Sequence, residues 1–187
     1  MKKYYYILLL LAFKISAQSV NETIINNIKS QVTICLTKIP IGSEKSFGFD
    51  SRNDFNNCKL GDPIKVITIS DNKWLELNEW RVPVILNGNY KLFFTVQKNN
   101  DTFEIVDLGG SDLAQEIQTI NINSKPIKYL IRLFKINIDF VSQEYATNPE
   151  KELITVPLKS AKKYLKTKDI FIKKSTYSLR NFLDINK

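Results

Sequence analysis

The fold is decided by the stretch Gly61–Gly110, which reads GDPIKVITISDNKWLELNEWRVPVILNGNYKLFFTVQKNNDTFEIVDLGG. It contains three runs rich in β-branched, aromatic and aliphatic residues, at Ile64–Ser70, Arg81–Val96 and Thr102–Leu108. Asn87-Gly88 interrupts the second run. An Asn-Gly pair between two alternating runs is a strong hairpin signal, because both residues tolerate the positive φ of a type I′ turn. The stretch therefore predicts an antiparallel meander.

Two positions refine the predicted meander. Pro83 lies within the strand predicted over Arg81–Leu86. Since proline cannot donate a hydrogen bond to a sheet, we expect this strand to lie at an edge or to be bulged. The residues before it, Asp71–Trp80, predict a short helix or a wide connection. In such a helix Glu76 and Glu79 would share one turn.

The segments on either side of the meander add helices and further strands. Ser19 or Asn21 can cap an amphipathic helix over about Val20–Ile34, and Ser19-x-x-Glu22 fits a capping box. A short helix to about Ile120 follows the meander, and Ile127–Val141 is the longest strand candidate. Together these elements predict an α+β fold, in which an N-terminal helix and short helices pack on a curved antiparallel sheet.

The N-terminal residues 1–17 have the composition of a secretory signal peptide. Lys2 and Lys3 precede an uncharged run over Tyr4–Phe13, and Ala17 offers a cleavage site. The run is too short for a stable membrane span; an uncleaved anchor is the main alternative. We therefore expect export to the periplasm, the cell surface or the medium, with no transmembrane span after cleavage. The predicted organisation is a signal peptide at 1–17, an α+β domain at 18–157 and a basic C-terminal segment at 158–187.

Cysteine and histidine usage restricts the possible chemistry. The two cysteines, Cys35 and Cys58, predict a disulfide in an exported protein. Closing that loop would stabilise the fold by about 3 kcal/mol. The chain has no histidine, which rules out Cys–His and Ser-His-Asp catalysis and any site with histidine ligands. Two cysteines cannot form a four-thiolate zinc site, so we predict no metal and no cofactor.

Positive charge is concentrated at the C-terminal end of the chain. The formal net charge is +8, and residues 151–187 contain ten Lys and Arg against three acids. The favoured interpretation of basic residues interleaved with aromatic ones is a solvated face above an ordinary apolar stripe. The alternative is binding to an anionic partner, such as an envelope polymer or an acidic protein, whereas an exported protein rarely meets nucleic acid. The candidate binding residues are Lys159, Lys162, Lys163, Lys166, Lys173, Lys174 and Arg180.

Some turn residues of the meander resemble those of a known group of proteins. The Trp80-x-x-Pro83, Asn87-Gly88 and Gly109-Gly110 pairs resemble those of small exported bacterial proteins of uncharacterised function. The order of helix then meander is similar to that of cystatin-like and NTF2-like domains, which implies a topology and transfers no site.

These observations leave three hypotheses for function. The first is an exported, non-enzymatic binding or accessory protein of the bacterial cell envelope, which would use a sheet edge near Pro83 and the basic segment. The second is a protease inhibitor or a pro-segment. The third is a histidine-free hydrolase that uses carboxylates, and it requires two of them to converge in a cleft. Its candidate carboxylates are Glu76, Glu79, Asp107 and Asp112.

Overall fold

The computed structural model describes residues 19–70, 73–120, 126–144, 154–167 and 177–178, so the predicted signal peptide lies outside the described residues. Four α-helices are present in these ranges: α1 Val20–Ile28, α2 Val32–Leu36, α3 Ser111–Thr119 and α4 Lys159–Thr167. The strands are β1 Lys59–Leu60, β2 Ile64–Ser70, β3 Lys73–Leu86, β4 Asn89–Asn99, β5 Thr102–Gly109, β6 Tyr129–Leu133, β7 Ile138–Ser142, β8 Ile154–Pro157 and β9 Tyr177–Ser178. They form one open sheet, which together with the helices confirms the predicted α+β fold.

The sheet is mainly antiparallel. Its strand order is β5-β4-β3-β2-β6-β7-β8-β9, with β1 paired to β3. The single parallel pair among the described strands joins β2 to β6. The β3–β4 hairpin turns at Asn87 and Gly88, which have φ values of 53° and 77°. This positive φ at both residues confirms the turn that the Asn-Gly pair predicts.

Helices cover both faces of the sheet. On the front face, α1 and α2 pack on β3, β4 and β5, and their shared core includes Ile24, Ile28 and Phe94. On the same face, α4 packs Ala161 and Leu165 against β2, β6 and β7. Helix α3 covers the back face, where its apolar residues meet side chains of β2, β4, β6 and β7. The front face thus carries two separate helix-covered cores, with the middle of the sheet between them.

Helix α1 begins as its sequence predicts. The Ser19 hydroxyl accepts a hydrogen bond from the Glu22 amide, and the Glu22 carboxylate accepts one from the Ser19 amide. The predicted helix does not run unbroken to Ile34, because a 3-10 turn at Lys29–Gln31 separates α1 from α2. The capping box therefore fixes the helix start.

Two predictions, one of a helix or connection and one of a long strand, are wrong. The described part of Asp71–Trp80 is neither helix nor connection, because β3 runs over 14 residues from Lys73 to Leu86 and pairs with β2 along its first part. Ile127–Val141 is not one long strand: β6 and β7 form a hairpin, with Asn137 at φ 52° in the turn. In both cases neighbouring strands supply hydrogen bonds that local propensity does not indicate.

Pro83 is not at an edge of the sheet. It lies opposite Phe93 of β4, and its carbonyl accepts a hydrogen bond from the Gly61 amide on its other side. The expected irregularity is present nearby, because the pairing of β3 with β4 shifts register between Val84 and Ile85. Proline is tolerated here because β1 and β2 leave a break in their pairing with β3 beside it.

Candidate anion-binding surface and charged cleft

Helix α4 carries a row of exposed lysines, hereafter the lysine face. Its members are Lys159, Lys162, Lys163 and Lys166. Their spacing of three and four residues places them along one side of the helix over about 10 Å. Helix α4 contains no acidic residue, so no ion pair within the helix neutralises this row. The lysine face is therefore a linear patch of positive charge.

The position of the lysine face is fixed by contacts on the other side of α4. Ala161 and Leu165 are buried in the core with β6 and β7. The Ser160 hydroxyl accepts a hydrogen bond from the Asp139 amide at 3.0 Å. At the N-terminus of α4, the Lys159 amide donates to the Glu116 carboxylate at 2.7 Å. The helix is thus held to the sheet by its apolar side and to α3 by its first turn.

The structure describes part of the predicted anion-binding set. It brings the four lysines of α4 together on one helix face. Lys173, Lys174 and Arg180 lie outside the described residues. Within the described residues, no helix is long and apolar enough to cross a membrane.

The predicted disulfide is not present, because Cys35 and Cys58 are both free. Cys35 is buried on α2, and the Cys58 thiol donates to the Asp54 carbonyl at 3.4 Å. Burial, followed by the nearby Asp54 charge, raises the pKa of the Cys58 thiol to about 11. The prediction rested on cysteine number and compartment, which do not report how the two side chains are directed in the fold.

The candidate carboxylates are divided between the two faces of the sheet. Glu76 is on the front face, where its carboxylate lies 4.0 Å from the Lys65 ammonium. Glu79 is on the back face and forms a 2.9 Å ion pair with Arg81. Asp107 on β5 also contributes an attractive charge to Arg81. Glu79 and Asp107 therefore act on one guanidinium, and neither shares a cleft with Glu76.

Asp112 lies in the first turn of α3, where a carboxylate stabilises the helix N-terminus. Among the described residues there is no group of three or more Cys, Asp or Glu side chains that could hold a metal ion. Glu79 and Asp107 thus share Arg81 as a partner, whereas Glu76 and Asp112 lie in separate surroundings.

A second charged site was not predicted from the sequence. Hereafter called the cleft, it lies on the front face and has a volume of about 470 Å³. Lys65 of β2, Trp80 and Glu76 of β3, and Tyr129 of β6 line it. These residues are far apart along the chain and meet because β2 pairs with both β3 and β6. No local motif could have indicated the site, although the isolated Lys65 in an apolar strand is a sequence signal that it faces something other than a core.

Electrostatics in the cleft centre on Lys65. Its ammonium lies 3.5 Å from the centroid of the Trp80 ring, and Trp80 itself is buried. Burial lowers the pKa of Lys65, while Glu76 partly offsets this effect. Burial, together with the Glu76 charge, raises the pKa of Tyr129. Desolvation of both groups indicates an environment in which electrostatic contacts are stronger than in water.

We compared the chain with known protein families, proteins and structures. The chain matches no protein-family model, no curated protein and no solved structure.

Proposed function

We propose that this protein is an exported, non-enzymatic binding protein of the bacterial cell envelope, and that its lysine face binds a linear anionic polymer. The observation that carries this proposal is the row Lys159, Lys162, Lys163 and Lys166 on a helix without acids. Lysines at such spacing repel one another and destabilise an isolated helix. An extended polyanion would neutralise all four at once and release its condensed counterions.

The buried side of α4 favours a polymer over a membrane. A helix that inserts into a lipid surface needs an apolar face directed outward. In α4 the apolar residues Ala161 and Leu165 are already packed on the sheet. The lysine face therefore offers charge without an insertable apolar surface, and a long array of negative charges is its best complement.

Binding to a polyanion can be tested with labelled dextran sulfate and measured by fluorescence anisotropy. We expect the triple variant Lys162→Gln, Lys163→Gln and Lys166→Gln to bind about tenfold more weakly at low salt, with a shallower salt dependence. The matched control replaces the exposed lysines Lys29, Lys45 and Lys59 by Gln, which removes the same charge from other surfaces.

Three outcomes decide the proposal. Weaker binding in the α4 variant alone supports it. Equal losses in both triple variants would mean that only net charge matters, which contradicts a specific face. Stronger binding to anionic lipid vesicles than to dextran sulfate would replace the polymer by a membrane surface.

Export is part of the same proposal and has its own test. Cleavage after Ala17 would give a mature chain that begins at Gln18. Intact-mass measurement of the protein from a cell envelope fraction should give the mass without residues 1–17. A full-length mass in the cytoplasmic fraction would contradict export.

A further inference from the structure

The cleft has the size and position of a small-molecule site. Its volume of about 470 Å³ falls within the usual range for ligand pockets. Its floor is formed by strands β2, β3 and β6, and one wall is the start of α1 at Val20 and Asn21. Because this floor lies between the two helix-covered cores of the front face, no described helix fills it.

Lys65 is the half-buried cation of the cleft. Its side chain is 16% exposed, and its nearest carboxylate, that of Glu76, is 4.0 Å away. This separation exceeds that of a hydrogen bond. Among the described residues no hydrogen bond to the Lys65 ammonium is present, and this ammonium lies over the Trp80 ring. A half-buried ammonium gains more from a charged acceptor than an ammonium in bulk water does.

The other side chains of the cleft select the kind of anion. Glu76 and Asp62 bring two negative charges, and Lys65 and Lys128 bring two positive ones. The Glu76 and Asp62 carboxylates would repel a polyphosphate ligand. A ligand with a single carboxylate carries less negative charge and can contact Lys65 alone. Pro63 and other apolar side chains at Val20, Pro126 and Ile127 complete the lining and fit an apolar body.

From this arrangement we infer that the cleft binds a small monocarboxylate with an apolar or aromatic body. The ligand carboxylate accepts hydrogen bonds from the Lys65 ammonium, and its apolar body lies against Tyr129 and the prolines. The site is separate from the lysine face, so either proposal can fail while the other stands.

Trp80 provides a direct readout of this binding. The chain has two tryptophans, Trp74 and Trp80, so Trp74→Phe leaves Trp80 as the single reporter. We propose to titrate benzoate into this variant and to follow Trp80 fluorescence, with benzamide as the neutral isostere. We expect saturable benzoate binding with a Kd on the order of 1 mM and no binding of benzamide.

Two substitutions in the Trp74→Phe background give effects of opposite sign. Lys65→Met keeps the length of the side chain and should weaken benzoate binding about tenfold. Glu76→Gln removes the competing carboxylate and should tighten binding a few-fold, which a folding defect would not do. Lys29→Met, at an exposed position on the 3-10 turn after α1, should bind like the parent.

Each result bears on the inference. Loss of binding in Lys65→Met together with a gain in Glu76→Gln supports it. Equal binding of benzoate and benzamide, unchanged binding in Lys65→Met, or no saturable benzoate signal in the folded protein would overturn it.

Discussion

The ammonium of Lys65 lies 3.5 Å from the centroid of the Trp80 ring, and the two residues are direct partners across β2 and β3. The Trp80 ring also packs edge-on against the Phe103 ring, with 5.2 Å between the ring centroids. One ring therefore contacts both the core under α1 and the cleft. The buried Trp80 ring therefore separates this core from the cleft.

This relationship predicts how the two residues differ in their effect on stability. Lys65→Met keeps a contact with the ring and removes a partly desolvated charge, so the free energy of unfolding should stay the same or rise by up to about 1 kcal/mol. Trp80→Ala should cost about 3–5 kcal/mol, because it leaves a cavity in the core. Urea denaturation measures both values. A loss of several kcal/mol in Lys65→Met would show that the cation–π contact mainly stabilises the fold.

The free cysteines predict a specific thiol reactivity. With a pKa of about 11 for Cys58, the thiolate fraction at pH 8 is about 0.1%, so Cys58 should react slowly with a thiol reagent in the folded protein. The rate should rise about tenfold for each pH unit up to pH 11, and unfolding should release two reactive thiols. Intact-mass analysis after alkylation counts them; a chain that takes up no label when unfolded would contain the disulfide.

The same thiol also predicts a pH dependence of stability. The pKa of Cys58 is raised from its ordinary value of 9.0, so the unfolded chain ionises first as the pH increases. The contribution of the neutral Cys58 thiol to the free energy of unfolding is complete below pH 9 and is lost as the pH rises toward 11. Cys58→Ser should flatten the decrease in the free energy of unfolding over this window, measured by urea denaturation. If the free energy of unfolding decreases equally in Cys58→Ser and the parent, the decrease is due to other titrating groups.

Amide side chains on the N-terminal helical segment protect the edge strand β5. Asn27 and Gln31 accept hydrogen bonds from the amides of Phe103 and Ile105 at 3.2 and 3.5 Å. The double variant Asn27→Ala and Gln31→Ala should lose about 1–3 kcal/mol and should self-associate, because unpaired edge amides can bind another strand. Light scattering and urea denaturation test this, with exposed Asn26→Ala as the control. Equal behaviour of variant and control would contradict an edge-protecting role.

The capping box at the start of α1 gives a fourth stability prediction. Ser19→Ala should cost about 1 kcal/mol, since it leaves the Glu22 amide without its acceptor. Exposed Ser30→Ala, outside the cap, should change stability by less. Thermal unfolding followed by circular dichroism compares the two variants, and equal melting temperatures would mean that water replaces the cap without loss.

The sequence correctly predicted the turns and caps that depend on residues close together in the chain. The Asn87-Gly88 turn and the Ser19–Glu22 cap are each set within a few residues, and both are present. Strand Ile64–Ser70 was predicted with its observed bounds. The first half of β3 was missed, because its pairing with β2 is set by residues such as Ile67 on another strand.

The sequence by itself determined the α+β class, the helix cap and the hairpin turn, because capping and turn geometry depend on side chains that are close neighbours in the chain. It also placed four lysines at helical spacing. Only the tertiary structure decided that Cys35 and Cys58 remain free, that Glu76 and Glu79 face opposite sides of the sheet, and that Lys65 meets Trp80 and Tyr129. These relationships depend on strand order and register, which are set by the burial of apolar side chains across the whole sheet.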